Sequence, residues 1–115
     1  MFYQLIKNNH GLAYDPFKSC VVPRPIGWIS TMGLDGVPNL APYSQFQILT
    51  FDPPYVMFAA NQKTDGNRKD SVVNAEQGKE FVYNMATYEL REAVNITAQE
   101  VPPDVDEFEL AGVCL

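Results

Sequence analysis

Histidine, cysteine and basic residues are all scarce in this sequence of 115 residues. It has one histidine, two cysteines and 8 lysines and arginines, against 14 aspartates and glutamates. The single histidine, His10, leaves no basis for a histidine-dependent catalytic triad or a histidine-based metal site. Cys20 and Cys114 lack metal-ligand spacing, and we expect buried, reduced thiols, which suit a cytoplasmic protein. The net charge of −6 argues against general binding to nucleic acid.

Long apolar runs and glycine-rich nucleotide motifs are also missing. No eighteen apolar residues run together, so no membrane-spanning helix is expected. The first residues, MFYQLIKNNHG, do not have the pattern of a signal peptide. Hydrophobic residues nevertheless make up 46% of the chain, which is enough for one core. We therefore expect a single soluble domain over residues 1–115.

The most informative stretch is residues 21–46. Residues 26–31 have the β-branched and aromatic content of a strand. Residues 33–36, Gly-Leu-Asp-Gly, predict a tight turn, because Asp-Gly tolerates the positive φ angles of a hairpin. Residues 37–46 form the return segment, whose two prolines prevent complete pairing as a central strand. Its second half, with Asn39 and Tyr43, mixes polar and aromatic side chains that could line a flat aromatic ligand with a phosphate tail.

Three further strands and three helices are predicted. The strands are residues 45–51, 55–60 and 81–85, and the middle one is expected to be buried. The helices are residues 71–77, 88–97 and 104–110, with Asp70, Thr87 and Asp104 as N-caps, and with Gly78 and Gly112 ending the first and third. We expect residues 1–17 to pack across the core. The acidic residues of the last helix are interpreted as a solvated face rather than a cation site.

The start of the helix predicted at 71–77 has the chemistry of an anion site. Arg68, Lys69 and the Ser71 hydroxyl stand beside backbone amides that have no partner within a helix. A phosphate would suit this arrangement, although basic residues before a helix are more often solvated surface. Arg24, held between two prolines on stiff backbone, is either a ligand contact or an ordinary ion-pairing residue.

Several segments together resemble the flavin reductase-like, FMN-binding split-barrel family, in the branch that includes flavoredoxin and the reductase components of two-component flavin monooxygenases. In chain order they are VPRPIGWIST at 22–31, DGVPNLAPYSQF at 35–46, DPPYVMF at 52–58, RKDSVVN at 68–74 and EFVYNMA at 80–86, followed by LREAVNIT and VDEFELAG. The ordered set, rather than any one motif, carries the resemblance, which covers almost the whole chain past residue 17.

The resemblance implies a mainly β fold with short helices, an antiparallel split β-barrel that binds FMN at a homodimer interface. Family members continue past Leu115, so the chain is expected to lack C-terminal strands of that barrel. The residues implied to line the ring system and ribityl chain are Arg24, Ile29, Ser30, Thr31, Ala41, Pro42, Tyr43 and Ser44, with Phe46 also in the cofactor-binding set. Those implied to hold the phosphate end are Arg68, Lys69, Asp70 and Ser71, with Asn39 and Asn74 as supporting polar residues.

The leading functional hypothesis is an NAD(P)H-dependent FMN reductase that supplies reduced flavin to a partner flavin-dependent monooxygenase. In such an enzyme the flavin carries the hydride chemistry, so no catalytic side chain and no metal are expected. The choice between NADH and NADPH stays open. The alternatives are an FMN-binding electron carrier of the flavoredoxin type and a non-catalytic domain.

Overall fold

Five strands and three short helices form the described part of the chain in a computed structural model, which covers residues 4–7 and 9–114. In chain order they are β1 (Gly27–Met32), β2 (Pro38–Tyr43), β3 (Phe46–Phe51), β4 (Pro54–Phe58), α1 (Asp70–Gly78), β5 (Val82–Asn84), α2 (Arg91–Ile96) and α3 (Glu107–Ala111). Two 3-10 turns, Leu5–Lys7 and Pro16–Ser19, precede β1. The described strands form two antiparallel sheets and no closed barrel. The predicted mainly β fold with short helices is therefore confirmed.

The predicted hairpin is present as β1 and β2, which pair antiparallel from Gly27 opposite Tyr43 to Met32 opposite Pro38. Gly36 in the turn has a φ of +84°, a conformation that glycine adopts without steric cost. The sheet order is β2-β1-β5, so β2 is an edge strand. Its two prolines lack backbone N–H groups, which is tolerated there because no further strand pairs with its open side.

The core is built on both faces of β1, the central strand, which pairs with β2 on one side and β5 on the other. Because successive residues of a strand point to opposite faces, Trp28 and Ile29 begin separate clusters. Trp28 packs with Leu40 of β2, Ala93 of α2 and Phe108 of α3. Ile29 packs with Tyr43 and Phe46. Helices α2 and α3 thus close one face of the sheet.

The β3-β4 hairpin forms a sheet of its own, and much of it is open to solvent. Residues 55–60 were predicted as a buried strand; β4 confirms the strand, but the predicted burial is wrong, since Tyr55 is 58% exposed. The expectation that residues 1–17 pack across the core is also wrong for the described part of that segment, where Tyr14 is 87% exposed. Residues 1–3 and 8 lie outside the described residues. No described element covers these apolar side chains. An apolar sequence pattern predicts a strand or an apolar segment, but it does not show whether another element will cover it.

Helix α1 confirms the helix predicted after Arg68, but its ends differ from the prediction. Lys69 occupies the N-cap position without a side-chain cap. Asp70 is the first helical residue instead, and its carboxylate forms an ion pair with the Lys63 ammonium at 2.7 Å. Gly78 is the last residue of α1, and Lys79 follows with a φ of +61°.

The N-caps predicted for the other two helices are wrong. Helix α2 begins at Arg91, later than predicted, because the Leu90 amide donates to the Thr87 carbonyl in a preceding turn, at 3.2 Å. Asp106, not Asp104, caps α3, and its carboxylate accepts from the Phe108 and Glu109 amides. Gly112 ends α3 as predicted.

The two cysteines lie on the surface of the described part of the chain. Cys20 and Cys114 are both free, as expected, but both are exposed, so the predicted burial is wrong. Each lies close to an end of the described residues, beyond the strands and helices that enclose the core. No helix in the described ranges is long and apolar enough to cross a membrane.

Candidate functional site

A polar cavity of about 70 Å³ lies where the edge strand β2 meets the start of α1 and the chain between α2 and α3. We call it the polar cavity. The predicted site residues in its wall are Asn39, Ala41, Pro42, Tyr43, Lys69, Asp70 and Ser71. The fold therefore brings together predicted residues that are distant in the chain: Asn39 and Ser71, which form a hydrogen bond, are 32 positions apart. The wall also includes Lys63, Thr97, Glu100 and Glu107.

A chain of hydrogen bonds runs along the wall of the polar cavity. The Ser71 hydroxyl donates to the Asn39 side-chain oxygen, and the Asn39 amide nitrogen donates to Glu107 Oε1 at 2.7 Å. The backbone N–H of Leu40, on the open edge of β2, donates to Glu107 Oε2 at 3.1 Å. Glu107 thereby supplies an acceptor that an edge strand otherwise lacks inside the protein.

Burial shifts two pKa values in this wall. Burial is the main cause that raises the pKa of the Glu107 carboxyl, the negative charge of Asp70 raises it further, and hydrogen bonds from Leu40 and Asn39 act in the opposite direction. The pKa of Tyr43 is also raised, chiefly by burial, while a hydrogen bond with Ser71 lowers it in part. Both shifts arise because a charged form loses hydration in the interior.

The cations near the start of α1 are paired with carboxylates. Lys69 donates to Glu100, and this hydrogen bond is the main cause that lowers the Glu100 pKa to about 2. Lys63 pairs with Asp70 at 2.7 Å. Arg68 pairs with Glu76 along α1, on exposed surface away from the polar cavity. An incoming anion would thus compete with Glu100 for Lys69.

The first turn of α1 has the amides of an anion site. The Val72 and Val73 amides both donate to the Lys69 carbonyl, at 3.1 and 3.2 Å. The Asp70 and Ser71 amides precede them at the helix start, where amides have no partner within the helix. Asp70 and Ser71 line the polar cavity together with Lys69, so these amides and the positive end of the helix dipole lie at its wall.

A second depression, which we call the open groove, has a volume of about 340 Å³. It lies between the chain before β1 and the β3-β4 hairpin, and its wall includes the predicted residues Arg24, Ser44 and Phe46. Its surface is largely apolar, with Phe17, Val21 and Met57 among the other lining residues. Tyr43 in the polar cavity and Ser44 in the open groove are consecutive, so the end of β2 contributes a residue to each depression.

The remaining predicted residues lie outside both depressions. The Ile29 side chain is fully buried in the core. Ser30 and Thr31 line a shallower recess beside β5, where Asn84 donates to the Ser30 hydroxyl at 3.1 Å. Asn74 of α1 donates to the Thr31 hydroxyl at 3.3 Å, which ties α1 to the sheet.

The residues of the polar cavity that the sequence did not predict include Lys63, Thr97, Glu100 and Glu107. Lys63 fell in a polar loop, and Glu107 was interpreted as part of a solvated helix face. That interpretation is wrong, because Glu107 is only 4% exposed. Thr97 is buried and accepts a hydrogen bond from the Trp28 ring nitrogen at 2.9 Å. No local pattern distinguishes Glu100 and Glu107 from surface residues, since their partners Lys69 and Asn39 lie 31 and 68 positions away.

Comparison with known sequences gives a consistent assignment. A family model described as "Flavin reductase like domain" matches residues 19–115. An uncharacterized protein of Aquifex aeolicus is 47% identical over 93 residues, which cover 81% of this chain and 47% of that protein. An uncharacterized protein of Halalkalibacterium halodurans is 38% identical, covering 81% and 44%. The chain thus spans about half the length of the curated relatives it matches.

Comparison with solved structures points the same way. Nitrilotriacetate monooxygenase component B from Bacillus cereus superimposes with a TM-score of 0.80 at 34% identity, covering 90% of this chain and 52% of that one. The 2-nitrobenzoate 2-nitroreductase of Pseudomonas fluorescens gives 0.77 at 25%, covering 97% and 52%. Flavoredoxin of Desulfovibrio vulgaris gives 0.69 at 15%, covering 80% and 48%, and this likeness concerns the fold alone. The chain belongs to the flavin reductase like domain family.

Proposed function

We propose that the chain forms the FMN-binding part of an NAD(P)H-dependent flavin reductase that supplies reduced flavin to a partner oxygenase. Membership of the flavin reductase like domain family supports flavin chemistry. The name of the Bacillus cereus neighbour, a monooxygenase component B, supports the pairing with an oxygenase. FMN, the nicotinamide donor and the partner are parts of the proposal.

One observation carries the proposal: residues expected to face the flavin and residues expected to face its phosphate meet at one place. Tyr43 comes from the end of β2, whereas Lys69 and Ser71 come from the start of α1, and all three line the polar cavity. A cation, helix-start amides and a buried aromatic side chain form a suitable donor set for a phosphate attached to a flat ring system.

The sizes of the two depressions suggest how the cofactor would be divided between them. Ligand pockets usually measure about 300–1,000 Å³, so the polar cavity, at about 70 Å³, suits a phosphate end and not a whole nucleotide. The open groove, at about 340 Å³, is large enough for a ring system. We therefore assign the phosphate end to Lys69 and the start of α1, and the ring to the groove beside Arg24, Ser44 and Phe46.

Bound FMN would supply the hydride chemistry, and the protein would supply position and charge. Lys69 would exchange Glu100 for the phosphate, and the α1 amides would orient that end. Tyr43 and the Ser44 backbone, at the end of β2, would align the ring end. No side chain is assigned as an acid or base.

The proposal also includes a homodimer in the cytoplasm. Ile48 and Phe51 of the β3-β4 hairpin are both exposed, and exposed apolar side chains of this kind favour contact with another protein surface. The free thiols of Cys20 and Cys114 suit a reducing compartment. Analytical ultracentrifugation tests the dimer: sedimentation as a monomer at micromolar concentration would contradict it.

Steady-state oxidation of NADH and of NADPH, each with and without added FMN, tests the function. We expect turnover that depends on FMN with at least one donor. Retention of FMN without turnover would instead support an electron carrier that a partner protein reduces. Absence of both turnover and FMN binding would contradict the proposed function.

A further inference from the structure

Glu107 is a buried carboxylate that the proposed function does not use. It is the first residue of α3 and only 4% exposed, and no salt bridge to it occurs within the described part of the chain. Burying a carboxylate without a cation is costly unless hydrogen bonds replace its hydration. Each of its two oxygens accepts a hydrogen bond from an N–H group, one from the Asn39 side chain and the other from the Leu40 backbone.

The chemistry of these donors fixes the direction of the whole hydrogen-bond chain. An ionised carboxylate only accepts hydrogen bonds, so Asn39 must turn its NH₂ group toward Glu107. Its side-chain oxygen then faces Ser71, and the Ser71 hydroxyl must donate to that oxygen. Ser71 therefore donates its proton to Asn39, and its hydroxyl oxygen is left as an acceptor in the wall of the polar cavity.

We propose that Glu107 is a positioning residue: its carboxylate fixes the orientation of the Asn39 amide, and Asn39 takes the Ser71 proton, so that Ser71 faces the polar cavity as a hydrogen-bond acceptor. The role of this arrangement in binding rests on the proposed function. Within it, Ser71 contacts the phosphate end through its backbone amide, and its hydroxyl oxygen accepts from a hydroxyl group of the ligand.

Protonation of Glu107 disturbs this arrangement, because a proton on either oxygen would face an N–H donor. Burial raises the Glu107 pKa, so on acidification Glu107 takes up its proton at a higher pH than an ordinary carboxyl group does. The charged and titratable groups that share the cavity with Glu107 are Tyr43, Lys63, Lys69, Asp70 and Glu100. Asp70 raises the Glu107 pKa through its negative charge.

The substitution Glu107→Gln tests the direction of the chain. The Leu40 N–H is part of the backbone and cannot turn, so the new amide must keep its oxygen there and point its NH₂ at Asn39. Asn39 then has to turn over, present its oxygen to that NH₂ and direct its own NH₂ toward Ser71. Glu109→Gln is the matched control, since Glu109 lies on the same helix but is exposed.

The first measurement is an NMR titration of the Asn39 side-chain amide in the protein without flavin, over about pH 4 to 8. In the wild-type protein we expect its proton resonances to titrate with a midpoint above the ordinary carboxyl value. Glu107→Gln should abolish this titration and shift the resonances, and Glu109→Gln should leave them unchanged. Asn39 amide resonances that Glu107→Gln leaves unchanged would overturn the proposal.

The second measurement is the affinity for FMN, from the quenching of its fluorescence. We expect Glu107→Gln to bind FMN about tenfold more weakly, because roughly one hydrogen bond to a correctly oriented group is lost. Glu109→Gln should bind FMN as the wild-type protein does. Equal or tighter FMN binding by a folded Glu107→Gln protein would show that Ser71 donates to the ligand, and would overturn the proposal. Lack of FMN binding by the wild-type protein would overturn the proposed function instead, and the amide titration would still decide the orientation of Asn39.

Discussion

Substitution of Lys69 by methionine should weaken the binding of FMN and not the binding of riboflavin, which lacks the phosphate. Lys69 lines the polar cavity beside the start of α1 and is paired with Glu100. Methionine keeps a long, unbranched side chain but removes the charge. The fold should tolerate this change, because the Lys69–Glu100 pair is on the surface and such pairs contribute little to stability.

The expected magnitude follows from the contact that would be lost. A hydrogen bond between charged groups contributes about 1.5–3 kcal/mol, which corresponds to roughly a 10- to 150-fold weaker affinity. In the wild-type protein, Lys69 must give up its pair with Glu100 to bind the phosphate, and this offsets part of the free energy of the new contact. In the variant, however, Glu100 stays near the phosphate without its counter-ion. We therefore expect about a 10- to 100-fold increase in the Kd for FMN.

Fluorescence titrations with FMN and riboflavin on the same protein samples measure both affinities. Lys79→Met is the control, because Lys79 is exposed and follows the other end of α1. The Kd for riboflavin should change by less than about twofold in either variant. Equal weakening of FMN and riboflavin by Lys69→Met, or equal effects of the two lysine substitutions on FMN, would refute the assignment of the phosphate end to this helix.

Three further predictions concern the fold and its pH dependence. Gly27→Ala should destabilise the protein by about 1–3 kcal/mol in urea unfolding, because the new Cβ would lie 2.4 Å from a ring carbon of Phe46. Thr97→Val should cost about 1–3 kcal/mol by leaving the buried Trp28 N–H without an acceptor, whereas Thr97→Ser should largely restore stability. The pKa of Glu100 is lowered from 4.5 to about 2, so its contribution to stability is present above pH 4.5 and is lost as the pH falls toward 2; Glu100→Gln should reduce that loss in denaturant unfolding measured across this pH range.

Distinct results would contradict each of these predictions. An alanine at position 27 with unchanged stability would mean that the Phe46 ring moves aside without cost. Equal stability of the valine and serine variants at position 97 would mean that the hydroxyl is not the acceptor for Trp28. Identical acid limbs for the wild-type and Glu100→Gln proteins would mean that other carboxyls account for the acid destabilisation.

The elements with strong local signals were predictable from the sequence. The turn at residues 33–36 was identified from Asp-Gly chemistry, and it joins the predicted strands in the observed register. Gly112 was identified as the end of the last helix for a similar local reason. Neither prediction required knowledge of distant residues.

Burial and long-range hydrogen bonds were not predictable in the same way. The Trp28–Thr97 and Leu40–Glu107 hydrogen bonds join residues 69 and 67 positions apart. Glu107 has the same local context as an exposed glutamate, so its burial follows only from how α3 packs against β2. The exposure of Tyr55 likewise depends on what covers the β3-β4 hairpin, which an apolar run does not specify.

The candidate site was predicted mainly through the resemblance, and the structure separates its residues into groups. The approach of Tyr43 to Lys69 and Ser71 follows from the packing of α1 on the sheet, which sequence spacing alone did not predict. Arg24 lies in the open groove, away from the polar cavity. The contacts of all these residues with a flavin stay predictions.

The most direct test of the central claim is the visible absorption spectrum of the purified protein after incubation with FMN and gel filtration. Flavin bands that elute with the protein at close to one FMN per chain, together with a rise in melting temperature on FMN addition, are the predicted result. A folded protein that elutes colourless and whose melting temperature is unchanged by FMN would contradict the claim.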